Sequence, residues 1–336
     1  MRHLKTKYMG IEIDNPVIIG ASNLVANLDL LKKAEDFGAA AIVYKSLFEE
    51  QMQLEEFQLD ERLTEFDDMN AEMITTHPRL EYAGPEEHLL KLRKAKESIS
   101  IPLIASINAV DFDTWISYAK LIPQTGVDAI ELNFYHTPSD FKKEANQIED
   151  EQINIVNEIC RNSPIPVSVK LSPDYSNILN FILKLDKAGV NGVTLFNSFY
   201  QPDIDIRTEK HIKLYNFSNE GDYKKSLRFA GLLFENIKAD ICSSHGVFSG
   251  ADVIKLILAG STCVQVVSTL YKNGMPQIDK IKKELVEWME SKNYNSLDEF
   301  RGKLSKTMLS NDPFVYKRAQ YVDLLINSEE IFGIPK

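Results

Sequence analysis

Apolar residues in this chain form short runs that alternate with longer stretches in which they recur every three or four positions. Eight runs are rich in Val and Ile and almost continuously apolar, which is typical of parallel strands covered on both faces. They span residues 15–22, 40–46, 102–108, 129–134, 166–172, 192–198, 240–246 and 263–269. Segments with apolar residues at this helical spacing lie between and after these runs. They span residues 28–37, 113–122, 148–161, 176–188, 224–237, 250–259 and 276–292.

Five of the predicted strands carry a polar residue at or near their carboxyl ends. These residues are Lys45, Asn108, Asn133, Lys170 and Asn197. An unpaired polar group inside a strand loses its water on burial, so this repeated placement indicates one shared site. Alternating strands and helices also fit an open doubly wound sheet. Eight units with polar strand ends favour the α/β class and a closed (β/α)8 barrel, also called a TIM barrel.

Three segments exceed what such a barrel needs. Two long βα insertions run from Leu47 to Gly84 and from Phe199 to Asp222, and connections of this length usually cover or line a site. Residues 294–336 form a C-terminal extension, expected to pack on the barrel exterior or on a partner subunit. We interpret residues 1–336 as a single domain.

Composition and charge exclude several classes of protein. The 336 residues are 44% hydrophobic, and 38 basic against 49 acidic residues give a net charge of -11, so no basic face for nucleic acid is evident. The three cysteines show no CxxC spacing, which argues against disulfides, zinc or an iron–sulfur centre and for the cytoplasm. Neither a signal peptide nor an apolar run of the roughly 20 residues that span a bilayer is expected.

The polar strand ends suit a planar ring rich in heteroatoms. Asn carboxamides offer uncharged donors and acceptors, and a partly desolvated Lys favours an anion or an electron-rich acceptor. Ser244, Gly246 and Ser268 follow the last two strands, where barrels commonly hold phosphate. Helix capping by Ser249 and Ser268 is the alternative. A ring site beside a phosphate site describes flavin mononucleotide, FMN, better than a sugar phosphate.

These motifs, in this order and spacing, resemble the dihydroorotate dehydrogenase family of FMN-dependent barrels. The resemblance extends from NPVIIGAS near the start to DEFRGKL near residue 303. It implies hydride transfer between a substrate carbon and the flavin, as in the oxidation of dihydroorotate to orotate in pyrimidine biosynthesis. It also implies the site residues. For the cofactor they are Ala21, Ser22, Lys45, Ser46, Asn108, Asn133, Lys170, Phe196, Gly221, Ser244, His245, Gly246, Val267 and Ser268. For the substrate they are Lys45, Asn133, Asn197 and Ser198.

The chain departs from the family's pattern on the substrate side. After Asn133 the family has Leu-Ser-Cys-Pro-Asn, with Cys or Ser as the residue that moves the substrate proton. Here His136 stands at that position and Pro138 replaces the second Asn. The family's substrate loop is replaced by THPRLEYAGP before residue 86. We therefore take His136 as the candidate proton shuttle and Lys170 as the residue that stabilises charge on the flavin, with a structural loop histidine as the alternative for His136.

Three functions remain open from the residues alone. The chain is a dihydroorotate dehydrogenase, the same flavin barrel acting on a different small molecule, or a non-catalytic flavin-binding subunit of a redox complex. The electron acceptor is equally open. The resemblance to the soluble branch of the family implies a homodimer in the cytoplasm, without membrane association.

Overall fold

The computed structural model describes residues 3–49, 85–135, 140–198, 201–212, 217–309, 316 and 319–326. Strands within these ranges are short, as expected for a barrel. In chain order they are β1 (Thr6–Tyr8), β2 (Ile11–Ile13), β3 (Val17–Ile19), β4 (Ala41–Val43), β5 (Leu47–Phe48), β6 (Leu103–Asn108), β7 (Ala129–Asn133), β8 (Val167–Leu171), β9 (Gly192–Leu195), β10 (Asp203–Asp205), β11 (Lys210–Ile212), β12 (Asp240–Ser243) and β13 (Cys263–Val266).

Eight of these strands close into a parallel barrel. Neighbouring strands follow the order β4-β3-β13-β12-β9-β8-β7-β6, and the pairing of β4 with β6 completes the ring. Strand β5 adds a short parallel pairing to β6. All eight predicted strands are present, and the predicted (β/α)8 barrel is confirmed. In a closed parallel barrel the carboxyl ends of all strands meet at one face, which brings the polar strand ends together.

Helices lie between the barrel strands and follow the last of them. In the described ranges they are α1 (Leu28–Asp36), α2 (Pro85–Ser98), α3 (Phe112–Leu121), α4 (Ala145–Asn162), α5 (Ile178–Lys187), α6 (Lys224–Leu233), α7 (Gly250–Ala259), α8 (Ser268–Asn273), α9 (Pro276–Ser291) and α10 (Ala319–Ile326). Three short 3₁₀ turns lie at Asn23–Ala26, Ile122–Thr125 and Leu297–Glu299.

Local hydrogen bonds fix the starts of several helices. Asn27 accepts the backbone N–H groups of Asp29 and Leu30 at the start of α1. A capping box of Ser249 and Asp252 begins α7. Such caps satisfy N–H groups that have no partner inside the helix. The sequence pattern did not predict α2 or the β10–β11 hairpin inside the second long connection.

Side chains alternate between the barrel interior and the helical layer. Ile130 and Leu132 of β7 face the helices, in the large core between sheet and helices, whereas Ala129 faces inward. The interior carries a small apolar cluster near the amino-terminal ends of the strands, to which Cys242 and Cys263 contribute. Both cysteines are therefore buried core residues.

The β1–β2 hairpin closes the amino-terminal end of the barrel. Tyr8 and Met9 belong to the interior apolar cluster, and the Met9 backbone N–H donates to Asp240 Oδ2 at 2.7 Å. A Cβ on Gly192 would lie 2.9 Å from the Tyr8 hydroxyl, which is closer than such atoms approach. Glycine at this position therefore leaves the space that the tyrosine plug occupies.

The first part of the C-terminal extension packs on the outside of the barrel. Phe300 is fully buried, and its ring centroid lies 5.0 Å from that of Trp288 in α9. Backbone N–H groups of Gly302 and Lys306 donate to carbonyls of Ile257 and Gly231, in α7 and α6. The extension thus ties the last helices of the barrel together.

Candidate functional site

A cavity of about 250 Å³ opens at the carboxyl end of the barrel. Most of the residues proposed to hold the cofactor line it. They are Ala21, Ser22, Lys170, Phe196, Ser244, His245, Gly246, Val267 and Ser268, together with the proposed substrate residues Asn197 and Ser198. A second cavity of about 350 Å³ shares Phe196, Asn197, Ser198 and His245. Together the adjoining spaces reach the range typical of small-molecule sites.

The remaining proposed residues lie beside this cavity rather than in its wall. Asn108 Nδ2 donates to the Asn133 backbone carbonyl at 2.6 Å, and Asn133 Nδ2 donates to Ser46 Oγ at 3.4 Å. Asn197 Nδ2 in turn donates to Asn133 Oδ1 at 2.6 Å, which connects this group to the cavity wall. Lys45, next to Ser46, is half-buried. Three of the five polar strand ends, Asn108, Asn133 and Asn197, therefore form a connected arc at the mouth.

Lys170 stands in the floor of the cavity. It is 8% exposed, and its Nζ donates to Gln265 Oε1 at 3.0 Å. Below it, Gln265 Nε2 donates to Glu131 Oε2 at 2.6 Å. Gln265 and Glu131 were not among the proposed site residues. The signal was available, because each is a long polar side chain in the middle of a predicted apolar strand.

The loop after β12 offers a second group of donors. His245 and Gly246 both have left-handed backbones, with φ of 74° and 72°. Within the described part of the chain, the backbone N–H groups of residues 245 to 247 donate to no protein acceptor. Successive free N–H groups in such a turn form a concavity that suits an anion.

Two further features match a bound cofactor. A Cβ on Gly246 would lie 2.7 Å from the Tyr223 backbone nitrogen, so glycine permits the close approach of the neighbouring loop. The Ser22 hydroxyl faces the cavity region, and in the described structure it is buried without a hydrogen-bond partner. A ligand in the cavity would supply that partner. The residues present therefore fit a flavin with a terminal phosphate.

The two serines considered as helix caps behave differently. Ser249 Oγ accepts the Asp252 N–H and caps α7. Ser268 Oγ instead accepts from the backbone N–H and the hydroxyl of Ser218, at 3.0 and 2.9 Å, and it makes no cap at the start of α8. Phe217 and Ser218 both belong to the second long connection, and both line the cavity. This connection therefore forms part of the cavity wall.

Charges around the mouth are mixed. His245 Nε2 lies 3.5 Å from Asp222 Oδ2. Burial lowers the pKa of His245, Asp222 opposes this effect, and Lys170 and Lys225 add to it. Gly221, a proposed cofactor residue, has a φ of 91° but does not line the cavity. His136, the proposed proton shuttle, lies outside the described residues.

The described ranges contain no candidate metal site and no candidate membrane span. No cluster of three or more His, Cys, Asp or Glu residues there has the geometry of a metal site. None of the helices in those ranges combines the length and apolar character needed to span a bilayer.

Comparison with known proteins places the chain in a family. The sequence profile described as dihydroorotate dehydrogenase matches residues 77–289. The chain is 27% identical over 310 residues to a protein of Methanocaldococcus jannaschii named dihydroorotate dehydrogenase B (NAD(+)), catalytic subunit, covering 89% of this chain and 97% of that one. A protein of the same name from Endomicrobium trichonymphae is 32% identical over 228 residues, 66% of this chain and 72% of its own.

A third relative has a different name. Dihydropyrimidine dehydrogenase (NADP(+)), chloroplastic, of Arabidopsis thaliana is 24% identical over 346 residues, which cover 94% of this chain and 80% of that protein. The parallel barrel and its polar mouth define a (β/α)8 barrel with a small-molecule site at the carboxyl ends of its strands. Within that class, the chain belongs to the dihydroorotate dehydrogenase family and is a dehydrogenase of that type.

Proposed function

We propose that this chain binds FMN in the cavity at the barrel mouth and oxidises dihydroorotate to orotate as the catalytic subunit of a larger enzyme. The observation that carries the proposal is the buried Lys170 ammonium in the cavity floor, opposite a loop whose free N–H groups suit a phosphate. Family membership supports the same cofactor and reaction. Bound FMN would supply a two-electron carrier that accepts hydride.

Lys170 is placed to stabilise negative charge in the cavity. One of its three N–H donors is used by Gln265, which leaves two for a ligand. Its surroundings are largely shielded from water, and charge interactions are stronger there than in solvent. We assign to Lys170 the stabilisation of charge that develops on the ring system during reduction.

Asn133 and Asn197 would orient the substrate. Their mutual hydrogen bond, and the bond from Asn133 to Ser46, leave one N–H on each carboxamide and the Asn197 carbonyl available for a ligand. A fixed amide arc of this kind holds a planar ring in one orientation, which lowers the entropic part of the barrier. Lys45 and Ser198 would contribute to the same contact.

His136 would move the substrate proton, because it follows Asn133 at the position where the family places its Cys or Ser. An imidazole titrates near neutral pH and suits proton transfer. The alternative is a structural histidine. Flavin reduction in His136→Ala separates the two.

The names of the relatives support a partner chain. Several are called catalytic subunits of an NAD(+)-dependent enzyme. The present sequence has three cysteines without CxxC spacing, so an iron–sulfur centre in the electron path to NAD would be carried by another chain. We further propose that residues 1–336 act as one FMN-binding domain in a cytoplasmic homodimer, which size-exclusion chromatography with light scattering tests.

The decisive experiment is an anaerobic titration of the purified, FMN-loaded protein. Dihydroorotate should bleach the flavin absorbance, whereas dihydrouracil, which lacks the carboxylate, should not. Bleaching by dihydrouracil alone would favour an activity like that of the dihydropyrimidine dehydrogenase relative. A protein that takes up no FMN would contradict the proposal as a whole.

A further inference from the structure

A carboxyl group lies inside the barrel, beneath the cavity. Glu131 on β7 is 1% exposed. Its Oε2 accepts from Gln265 Nε2 at 2.6 Å and from Thr194 Oγ1 at 2.9 Å, whereas Oε1 has no hydrogen-bond partner in the described structure. A buried carboxylate is costly unless opposite charge or donors offset it. The two short contacts at one oxygen are those expected of a charged acceptor.

The hydroxyl groups next to Glu131 form a short chain that ends on its carboxylate. Burial, helped by Cys242, Cys263 and Glu131, raises the pKa of Tyr8 well above its usual range, so the phenol stays protonated. Its hydroxyl lies 3.5 Å from Thr194 Oγ1, and the Thr194 proton is directed at Glu131. The chain Tyr8–Thr194–Glu131 therefore leaves the carboxylate as the final acceptor.

Gln265 connects this carboxylate to Lys170. Its NH₂ group donates to Glu131, so its carbonyl is fixed in the direction of the Lys170 ammonium, which donates to it at 3.0 Å. One amide thus separates a negative from a positive group inside the barrel. No ion pair within the described ranges joins Glu131 directly to a basic side chain.

We propose that Glu131 is a positioning residue that, through Gln265, fixes the Lys170 ammonium and moderates the positive charge that this ammonium presents to the cofactor. The inference rests on the proposed FMN site. The carboxylate partly cancels the field of Lys170 at the cavity floor, because both groups lie in a low-dielectric interior. Glu131 thereby lowers the tendency of the bound flavin to be reduced.

The test is the midpoint potential of the bound flavin, measured by anaerobic spectroscopic titration against a reference dye. Glu131→Gln keeps the shape of the side chain and removes the charge. It should favour the reduced flavin by about tenfold, a rise of about 30 mV for a two-electron couple. Thr194→Val removes one donor from the carboxylate and so changes how far its charge is compensated. The midpoint potential of the flavin bound to this variant should therefore shift from the wild-type value, by less than in Glu131→Gln.

Asp240→Asn is the matched control. Asp240 is a partly buried carboxylate at the amino-terminal end of the barrel, away from the cavity. Like the network around Glu131, it contacts the β1–β2 hairpin, in this case through the Met9 backbone N–H. Its removal should weaken the fold without moving the potential. If Glu131 had a purely structural role, Glu131→Gln would likewise weaken the fold and leave the flavin potential unchanged.

Two results would overturn the inference. One is a wild-type flavin potential in FMN-loaded Glu131→Gln. The other is a wild-type flavin potential in FMN-loaded Thr194→Val, a variant that remains informative if Glu131→Gln does not fold. Failure of the wild-type protein to bind FMN would overturn the proposed function, and this role with it. Normal FMN binding with unchanged potentials would overturn this role alone.

Discussion

His88 makes the stability of this protein depend on pH. It lies in the first turn of α2, and its ring meets that of Tyr44 edge-on, with centroids 5.7 Å apart. Burial lowers the pKa of His88 to about 4, and the nearby charges of Lys45 and Lys91 add to the effect. The folded protein therefore holds this imidazole neutral.

The sign and size of the effect follow from linkage. The ordinary pKa of histidine is about 6.5, so below that value the unfolded chain binds a proton that the folded chain does not. Stability is unaffected by His88 above about pH 6.5 and falls by about 1.4 kcal/mol per pH unit down to about pH 4. At about pH 5 the loss is about 2 kcal/mol, a sizeable part of the stability of a typical domain.

This loss can be measured by urea unfolding of the wild-type protein and of His88→Gln, each at about pH 7.5 and at about pH 5. The variant lacks the titrating group. When the pH falls from about 7.5 to about 5, its free energy of unfolding should therefore drop by about 2 kcal/mol less than that of the wild type. His211→Gln, which removes an exposed imidazole from the β10–β11 hairpin, is the control and should follow wild type. Parallel pH profiles for wild type and His88→Gln would refute the assignment.

Three other changes test the site and its support. Lys170→Met keeps most of the side-chain stem and removes the ammonium, so the rate of flavin bleaching by dihydroorotate in stopped flow should fall by about 10² to 10³ with FMN still bound. A rate within threefold of wild type would contradict its role. His136→Ala should slow the same bleaching without loss of FMN, and unchanged kinetics would remove His136 from the mechanism. Gly192→Ala places a methyl group against the Tyr8 hydroxyl and should cost about 1–3 kcal/mol in urea unfolding. Adding Tyr8→Leu should recover part of that loss, and a fully stable Gly192→Ala protein would contradict the proposed packing.

The barrel and much of its mouth were readable from the sequence. Strands of a closed barrel are covered on both sides, so each appears as a short apolar run, and all eight lay where the pattern put them. Parallel strands bring their carboxyl ends to one face, so the polar strand ends, Asn133 and Lys170 among them, were expected to share one site. The structure pairs them in register.

The interior network was decided by the tertiary structure alone. Gln265 contacts Lys170, 95 residues away, and Glu131, 134 residues away. Nothing local in the sequence selects these partners, because they depend on which strands meet across the barrel and at what height. The same holds for Gly192, whose missing side chain makes room for Tyr8 from a distant hairpin. The sequence by itself determined where the barrel strands lie and which polar residues stand at their carboxyl ends, because strands covered on both faces appear as short apolar runs. Only the closed barrel determined which inward residues touch, because that depends on strand register and on the hairpin that fills its base.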